Sequence, residues 1–310
     1  MDGLIRLFTS KDVDDVFKFY DSFGDSDGLI SWLKGYPYAP VKFYETDDES
    51  DNVVVITLPD HNSVNARMCR KMFKGTKIVF AESSGPYFDF SRSANEGLRR
   101  ALSSKPKWVA LLNDDIAKKD EPSVLNEGLD AIDHRKFDVA FRNDYSTKNG
   151  AVVEKRHTRI IAKANMFMKL AGVLAKGHAK KYVSLMDRFD VDLMVYSTEA
   201  GMWQRLYTAA LSSHKRVKVN SFQHAHIFSS DFIRKRKGIV FDEVYRNGMD
   251  DIDLDLYLHR TKARCAFVNF NIEPKNRNAG GTMGAGPCRV FRNIANQAYF
   301  AQKVREKRWL

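Results

Sequence analysis

Strand-length apolar runs alternate with helix-length segments between residues 53 and 112, and this alternation limits the fold more than any other feature of the chain. The predicted strands are residues 53–58, 77–82 and 108–112. Of the two predicted helices between them, the first ends at about Met72 and the second spans about 90–102. A helix that connects two strands makes a right-handed crossover and leaves the strands parallel. The sequence therefore predicts an α/β fold with a mixed, mainly parallel central sheet flanked by helices.

Segments outside this core extend the prediction in both directions. A fourth strand over 137–142 follows a helix that begins near Ser123, and a further strand is predicted over 218–228. Near the N-terminus, Ser10 is predicted to cap a short amphipathic helix. Residues 289–310 are predicted to form one amphipathic helix with a basic outer face.

The third predicted strand runs directly into an acidic turn, Asn113-Asp114-Asp115. Ligands of parallel sheets bind beyond the carboxyl ends of the strands, and this turn lies at such an end. Mg²⁺ or Mn²⁺ needs only one or two carboxylates when phosphate oxygens and water complete its shell. The turn is therefore a candidate metal site for a nucleotide diphosphate, although an ordinary Asx-rich turn after a strand would have the same sequence.

A second acidic cluster, Asp250-Asp251, precedes an apolar helical segment. Transfer to a hydroxyl group needs a base within hydrogen-bond reach of the proton that leaves. A carboxylate at a helix start is held by backbone N–H groups and suits that role. The alternative is that Asp250 or Asp251 only caps the helix.

The surplus of basic residues favours anionic partners. The chain has 50 Lys and Arg against 39 Asp and Glu, a net charge of +11, with basic residues concentrated in 144–181 and 234–237. Nucleotides, phospholipid surfaces and nucleic acids all satisfy this preference. The 44% of hydrophobic residues indicates a folded protein and excludes a disordered polycation.

Cysteine usage and the lack of long apolar segments predict a soluble, cytoplasmic protein. The three cysteines are far apart and include no C-x-x-C pair, which favours a reducing compartment. The N-terminus lacks the features of a signal peptide, and the longest apolar runs have only strand length. The basic helix over 289–310 would suit peripheral membrane contact, and packing against the rest of the protein would explain it equally well.

Five short motifs occur in a characteristic order. They are Pro59-Asp60-His61-Asn62, Glu82-Ser83-Ser84-Gly85, Arg92-Ser93-Ala94-Asn95-Glu96-Gly97, Asn113-Asp114-Asp115, and one longer element over 238–253 that begins with Gly-x-x-Phe-Asp-Glu and ends with Asp-Asp-x-Asp. In this order and spacing the sequence resembles the family 2 glycosyltransferases with the GT-A fold. The resemblance covers roughly residues 53 to 271, with a poorly matched stretch between about 144 and 218.

The resemblance implies a binding site for a nucleotide sugar. Leu58 and Glu82 would line the nucleoside pocket, and Arg92 and Asn95 would lie beside it, unless Asn95 only supports the loop. Asp114 would lie near the sugar or the ribose.

The resemblance also implies a metal site and a catalytic base. Asp115 would bind Mn²⁺ or Mg²⁺, with Asn113 as a weaker ligand because an amide stands where the family has a carboxylate. Asp251 would be the base and Asp250 its neighbour. Near the loop Gly280-Gly281-Thr282, the family often supplies a histidine that this chain lacks, so a third protein ligand to the metal is not expected.

The implied activity is inverting, metal-assisted transfer of a single sugar from a nucleoside-diphosphate sugar to a hydroxyl of a glycan, protein or lipid-linked acceptor. Processive synthesis is not expected, because Arg308-Trp309 lacks the glutamine of the Gln-x-x-Arg-Trp motif. The expected organisation is an N-terminal extension (1–50), a GT-A domain (51–288) with a basic insertion on the acceptor side (143–218), and the C-terminal helix (289–310).

Two other classes of protein stay open at this point. A sugar-phosphate nucleotidyltransferase would share the sheet and the metal turn, but it should lack the Phe241-Asp242-Glu243 element that precedes Asp250-Asp251. A non-catalytic, basic nucleic-acid-binding protein would explain the lysine surplus. No RRM, KH or zinc-finger signature is present, so nucleic acid is not the expected partner.

Overall fold

A seven-stranded sheet forms the centre of the protein, in a computed structural model that describes residues 3–142, 145–148, 151–154, 176–197, 215–219, 225–274 and 287–308. The strands of the described residues, in chain order, are β1 (Lys42–Glu45), β2 (Asn52–Leu58), β3 (Lys77–Glu82), β4 (Trp108–Asn113), β5 (Ile116–Lys118), β6 (Val139–Arg142), β7 (Tyr145–Lys148), β8 (Ala151–Glu154), β9 (Leu193–Ser197), β10 (Lys215–Val219), β11 (Ala225–Ser229), β12 (Cys265–Val268) and β13 (Ile272–Pro274).

The order of strands in the central sheet is β1-β3-β2-β4-β11-β6-β12. Strands β3, β2, β4, β6 and β12 run in one direction, whereas β1 and β11 run in the opposite direction. The predicted α/β fold with a mixed, mostly parallel sheet is therefore confirmed. The remaining described strands form three two-stranded pairs, β5 with β13, β7 with β8, and β9 with β10.

Helices flank the sheet and build a separate layer beside it. In chain order they are α1 (Gly3–Thr9), α2 (Val13–Tyr20), α3 (Ser26–Lys34), α4 (Val64–Met72), α5 (Phe90–Ala101), α6 (Val124–Asp130), α7 (Lys176–Arg188), α8 (Ser230–Lys235), α9 (Asp250–Arg260), α10 (Pro287–Arg292) and α11 (Ile294–Arg305).

Three details of the predicted elements are wrong. The helix after Ser10 is capped by Asp12, whose carboxylate accepts a hydrogen bond from the Asp14 N–H, because Asp12 directly precedes the first helical turn. The predicted strand over 218–228 is two strands, β10 and β11, which belong to different sheets. The predicted C-terminal helix is two helices, α10 and α11, with a turn at Asn293 between them.

The central strands read as continuous apolar runs because both faces of the sheet are covered. On the face that we call the α4 face, Val54 and Ile56 pack with residues of α4 and α6. On the opposite α5 face, Val53 and Val55 pack with residues of α5, α8 and α9. Successive strand residues thus alternate between two cores, as the pleat requires.

A helical layer joins the two ends of the chain. Phe17 of α2 lies with its ring centroid 4.6 Å from that of Phe291 in α10, and the Tyr20 hydroxyl donates to the Arg292 carbonyl oxygen at 3.0 Å. The apolar residues of α11 are buried in this layer with those of α2, α3 and α7. The apolar face of the C-terminal helix therefore packs inside the protein.

The predicted N-terminal extension, residues 1–50, supplies α1–α3 to the helical layer and β1 to the central sheet. Most of the basic segment 143–218 lies outside the described residues, as does the loop 280–282. Among the described residues, no helix has both the length and the apolar character needed to cross a bilayer.

Gly97 determines how closely α5 approaches the sheet. A Cβ atom at this position would lie 2.5 Å from Val55 Cγ1 and 3.2 Å from Ala81 Cβ. We expect Gly97→Ala to destabilise the protein by about 1–3 kcal/mol, because an added methyl group must push α5 away from β2 and β3. Urea unfolding measures the effect. Gly24→Ala is the control, since a Cβ atom there has no neighbour within 4 Å, and an equal loss in both variants would contradict the packing argument.

Candidate functional site

The carboxyl ends of β2, β3 and β4 meet at one edge of the sheet. Leu58 pairs with Glu82 and Thr57 pairs with Asn113, so the last residues of the three strands lie side by side. Because α4 and α5 follow β2 and β3, both helices begin at this carboxyl edge. The sequence-predicted site residues belong to these strand ends, to α5, to the turn after β4 and to the start of α9.

On the α4 face, the edge carries a histidine–carboxylate pair. The Glu82 carboxylate accepts hydrogen bonds from the His61 N–H at 2.8 Å and from His61 Nδ1 at 2.6 Å. The Tyr44 ring stacks on the His61 imidazole with 3.4 Å between centroids and 10° between planes. Burial raises the pKa of Glu82, but the His61 hydrogen bonds outweigh it and hold the pKa below its usual value. Glu82 is thus an ionised, oriented carboxylate, held in place by His61.

Asp60 brings a third ligand-type group to this pair. Single ligand atoms of Asp60, His61 and Glu82 all lie within 4.8 Å of one another. Asp60 is exposed, whereas the other two are partly buried. Oxygen and imidazole ligands in this arrangement are suitable for a divalent cation, but the His61–Glu82 hydrogen bond explains the same geometry without one.

The acidic turn after β4 divides its side chains between different partners. The Asn113 amide oxygen accepts a hydrogen bond from the Thr57 hydroxyl at 3.0 Å, and the Asn113 side chain is exposed. The Asp114 carboxylate accepts from the Asn65 amide of α4 at 3.3 Å. Asp115 is partly buried. Two carboxylates and one amide oxygen thus follow β4. With Asp114 bound to Asn65, the Asp115 carboxylate and the Asn113 amide oxygen are of the ligand type that suits Mg²⁺ or Mn²⁺ when a ligand supplies further oxygens.

On the α5 face, Asn95 holds the turn that leads towards Asp250. Its amide oxygen accepts from the N–H groups of Val240 and Phe241 at 2.9 and 3.0 Å. Its amide nitrogen donates to the Phe241 carbonyl oxygen at 2.8 Å and to the Glu243 carboxylate at 3.0 Å. Asn95 is fully buried, so its amide atoms are used within the protein.

Arg92, one turn before Asn95, binds the same glutamate. Its guanidinium donates to the Glu243 carboxylate at 2.9 Å and forms an ion pair with Glu96 at 2.6 Å. Leu58, also predicted to line the nucleoside pocket, is only 2% exposed and packs in the α4-face core. Of the predicted nucleotide-sugar residues, Glu82 and Asp114 thus have partly exposed carboxylates at the edge, whereas Leu58 and Asn95 are buried.

The start of α9 is fixed at the carboxyl edge by α5. The Asn247 side chain accepts from the Phe90 N–H and donates to the Phe88 carbonyl oxygen, both at 3.0 Å. Met249 then adopts a left-handed backbone with φ of 73°, after which α9 begins at Asp250. The two helix N-termini, with the carboxyl groups that they carry, are therefore neighbours.

Three carboxyl groups at these N-termini have raised pKa values. Burial raises the pKa of Asp251 to about 6, against the opposing effects of the Ile252 N–H, which donates to it at 2.8 Å, and of Arg289. Burial, followed by the nearby carboxylates of Asp251 and Asp89, raises the pKa of Asp250 well above its usual value. Burial also raises the pKa of Asp89 to about 7. Strongly perturbed acids in one place are typical of functional sites.

Asp89 was not singled out from the sequence. One of its oxygens caps α5 by accepting from the Arg92 N–H at 2.9 Å, and the other has no hydrogen-bond partner among the described residues although Asp89 is only 2% exposed. The only sequence signal is an aspartate three residues before Arg92 at a helix start. That pattern predicts that Asp89 caps the helix, but it does not predict that the capping carboxylate is buried.

A buried lysine supports the turn and the helix that carry the candidate base. The Lys303 ammonium of α11 donates to Asp242 and to Asp253, each at 2.7 Å, and Lys303 is 2% exposed. The Tyr299 hydroxyl donates to the same Asp242 carboxylate at 2.9 Å. The helical layer is thereby attached to the Phe241-Asp242-Glu243 element and to the first turn of α9.

The predicted residues thus fall into two groups on the two faces of the carboxyl edge. Glu82 and Asp114 lie on the α4 face with His61. Arg92, Asn95, Asp250 and Asp251 lie on the α5 face. Asn113 also follows the α5 face, because it continues the alternation of Val109 and Leu111.

No protein-family model matches this sequence, and no curated protein matches it either. Fold and site together define a class only. The protein is an α/β protein with a mixed, mostly parallel sheet whose carboxyl edge carries two clusters of acidic side chains.

Proposed function

We propose that this protein is a glycosyltransferase of the GT-A type that moves a single sugar from a nucleoside-diphosphate sugar to a hydroxyl acceptor with inversion. The observation that carries the proposal is the pair of helix N-termini at the carboxyl edge. The N-terminus of α9 carries Asp250 and Asp251, with a pKa of about 6 for Asp251, and the N-terminus of α5 lies beside it. Both N-termini lie at the same edge as the acidic turn 113–115. A base with a raised pKa is matched to proton transfer near neutral pH.

The order of strands supports the GT-A form of the α/β fold. A parallel β3-β2-β4 unit ends in the acidic turn, and the antiparallel strand β11 separates β4 from β6. The Arg92-x-x-Asn95-x-Gly97 motif has a structural basis in this arrangement. Asn95 and Arg92 hold the turn before the base, and Gly97 allows α5 to approach the sheet.

In this proposal each part of the edge has a separate task. Asp115 and the Asn113 amide oxygen would hold Mn²⁺ or Mg²⁺, whose chemistry is to neutralise charge on the leaving diphosphate. Glu82, oriented by His61, would accept a hydrogen bond from the nucleoside. Asp251 would accept the proton of the acceptor hydroxyl as its oxygen attacks the anomeric carbon, and its neighbour Asp250 would stay protonated.

Binding of donors tests the proposal directly. Thermal unfolding is measured with UDP-, GDP- and dTDP-sugars, each with and without Mn²⁺. We expect one nucleoside class to raise the melting temperature, and Mn²⁺ to increase the shift. A nucleotidyltransferase would release pyrophosphate from a nucleoside triphosphate and a sugar phosphate instead. Absence of any stabilisation by nucleotides would overturn the enzyme assignment.

Asp115→Ala separates the two candidate cation positions. We expect this variant to lose at least about tenfold in nucleotide affinity in the presence of Mn²⁺ and little in its absence, because the Asp115 carboxylate would hold the cation that neutralises charge on the diphosphate. Isothermal titration with the nucleoside diphosphate, with and without Mn²⁺, measures the difference. Asp47→Ala, an exposed change in the loop between β1 and β2, is the control. If Asp60→Ala abolishes the Mn²⁺ effect and Asp115→Ala does not, the metal belongs to the group Asp60, His61 and Glu82.

A further inference from the structure

A set of basic side chains lies at the edge of the sheet opposite to the candidate site. We call it the amino-edge surface and define it by Lys105, Arg135, Lys235, Lys237 and Lys262, all of which are exposed. Lys105, Arg135 and Lys262 lie shortly before β4, β6 and β12, where these parallel strands begin. Lys235 and Lys237 lie at the end of α8, which starts directly after β11.

Backbone hydrogen bonds join the segments of this edge. The Lys107 N–H donates to the Asp51 carbonyl oxygen. The Ser230 N–H donates to the Lys107 carbonyl oxygen at 3.1 Å. The Asp138 N–H donates to the Arg264 carbonyl oxygen at 2.8 Å. The loops before β2, β4, β6 and β12, together with the start of α8, thus form one continuous surface.

The acidic groups beside this surface form their closest ion pairs with cations outside the defining set. Four aspartates at the same edge form ion pairs with other cations: Asp51 with Lys107, Asp133 with Lys136, Asp138 with Arg264, and Asp231 with Arg234. None of the five residues that define the surface forms an ion pair with a residue in the described ranges. Arg135 and Lys235 still contribute to the lowered pKa values of Asp133 and Asp138. Within the described ranges, Lys105, Lys237 and Lys262 are therefore the members of the surface whose charge is most available to an anionic partner.

Three of these lysines have a backbone conformation that disfavours them. Lys105, Lys237 and Lys262 have φ of 52°, 54° and 53°, in the left-handed region where glycine or asparagine usually ends a helix. The negative ends of nearby helices attract cations, but this attraction is smaller than the cost of a left-handed lysine. Lys307, which follows α11 outside this surface, has the same conformation with φ of 52°, so the left-handed backbone belongs to the way these helices and turns end. Glycine can replace lysine at such positions without strain.

We propose that the amino-edge surface binds the headgroups of an anionic phospholipid bilayer. Four of its five residues are lysines, whose compact charge suits a diffuse anionic surface. Ile239, two residues after Lys237, is 40% exposed and adds an apolar side chain close to these charges in the chain. Binding of nucleic acid would favour arginines with exposed aromatic side chains for stacking. The C-terminal helix is not the contact, because its apolar face is buried in the helical layer.

This orientation has a geometric consequence for the opposite edge. A six-residue strand such as β4 is about 20 Å long, so a bilayer at the amino edge leaves the carboxyl edge facing away from the membrane. The candidate site would then act on groups in solution or on groups that extend well beyond the lipid headgroups. The docking itself does not depend on the proposed enzymatic function.

Co-sedimentation with vesicles tests the proposal. The full chain is mixed with vesicles of phosphatidylcholine alone or of phosphatidylcholine with phosphatidylglycerol. We expect binding only to the anionic vesicles, and binding that weakens as salt is added. The variant Lys105→Gly/Lys237→Gly/Lys262→Gly should bind them about 100-fold more weakly, since each lysine near an anionic surface contributes roughly a fivefold factor. Glycine suits the left-handed positions, so the melting temperature should not fall.

A matched variant controls for total charge. Lys11→Gln/Lys180→Gln/Lys307→Gln removes three exposed lysines of the helical layer and should bind vesicles within about threefold of the unchanged protein. Equal losses in the two triple variants would overturn the proposal, as would equal binding to neutral and anionic vesicles. Displacement from the vesicles by a mixed-sequence DNA duplex bound through the same three lysines would assign the surface to nucleic acid instead.

Discussion

Replacing Asp251 with asparagine is expected to lower the rate of sugar transfer by about 10³-fold while leaving the affinity for the nucleotide donor nearly unchanged. The amide keeps the shape of the side chain but cannot accept the proton of the acceptor hydroxyl. Single-turnover transfer, measured beside donor binding by calorimetry, separates the two effects. If donor affinity falls as far as transfer does, Asp251 is not the base.

The pH dependence of the unchanged enzyme should follow the same carboxyl group. A base with a pKa of about 6 is mostly ionised above that pH, so the transfer rate should fall as the pH is lowered through about 6. Asp255→Asn, a change one turn further along α9, is the matched control and should preserve both the rate and the profile. A rate that is flat between pH 5 and 8 in the unchanged enzyme would contradict the assignment.

Asp251→Asn should also make the protein more stable at neutral pH. The folded-state pKa of Asp251 is raised from its ordinary value of 3.8, so the folded protein binds this proton more tightly than the unfolded chain does. As the pH rises from about 4 through about 6, the unfolding free energy therefore decreases by up to about 3 kcal/mol on account of this group. Asp251→Asn removes that penalty. Its gain in unfolding free energy should be present at pH 7.5 and small at pH 4.

Replacing Lys303 with methionine is expected to destabilise the protein by about 3–5 kcal/mol. In the unchanged protein the Lys303 ammonium group donates a 2.7 Å hydrogen bond to each of the Asp242 and Asp253 carboxylates. The change leaves both carboxylates buried without their shared counterion. Methionine preserves most of the side-chain volume, so the loss reports the charge. Urea unfolding measures it, and Lys307→Met, an exposed change four residues later, should alter stability by less than about 0.5 kcal/mol.

Two further substitutions test whether the loss of stability in Lys303→Met comes from the buried ion pairs. Adding Asp242→Asn and Asp253→Asn to Lys303→Met should restore part of the stability, because the buried charges are then removed together with their counterion. If the triple variant is no more stable than Lys303→Met alone, the ion-pair network does not account for the loss. The comparison also tells whether the helical layer is attached to α9 mainly by charge or by packing.

The elements that were predictable from the sequence are those that local pattern determines. The strands at 53–58, 77–82 and 108–112 are apolar at nearly all interior positions because both faces are covered, and this is visible in the sequence. The sequence prediction joined β10 and β11 into one strand over 218–228, although the turn-type pair Asn220-Ser221 lies between them. Which sheet a strand joins depends on partners such as Leu112, which lies 113 residues away from Ala225 in the chain.

The positions of the acidic clusters were predictable, whereas their supporting contacts were not. A carboxylate at a strand end or a helix start is visible in the sequence, as with Asp115 and Asp251. The resemblance placed Arg92 and Asn95 beside the nucleoside pocket and left open that Asn95 only supports the loop. Both side chains bind the Phe241 and Glu243 region. Such contacts join residues about 150 positions apart, and burial decides which polar atoms they consume. The same reason explains why Lys303, one basic residue in a basic helix, gave no signal.

Helix α9 belongs to two hydrophobic cores at once. Leu254 packs in the α5-face core, while Ile252 and Leu256 pack in the core of the helical layer. Neither the sheet nor the helical layer can lose its packing without exposing one side of this helix. The two layers should therefore unfold in a single cooperative transition, and the helix that begins with Asp250 and Asp251 is ordered only while both are intact.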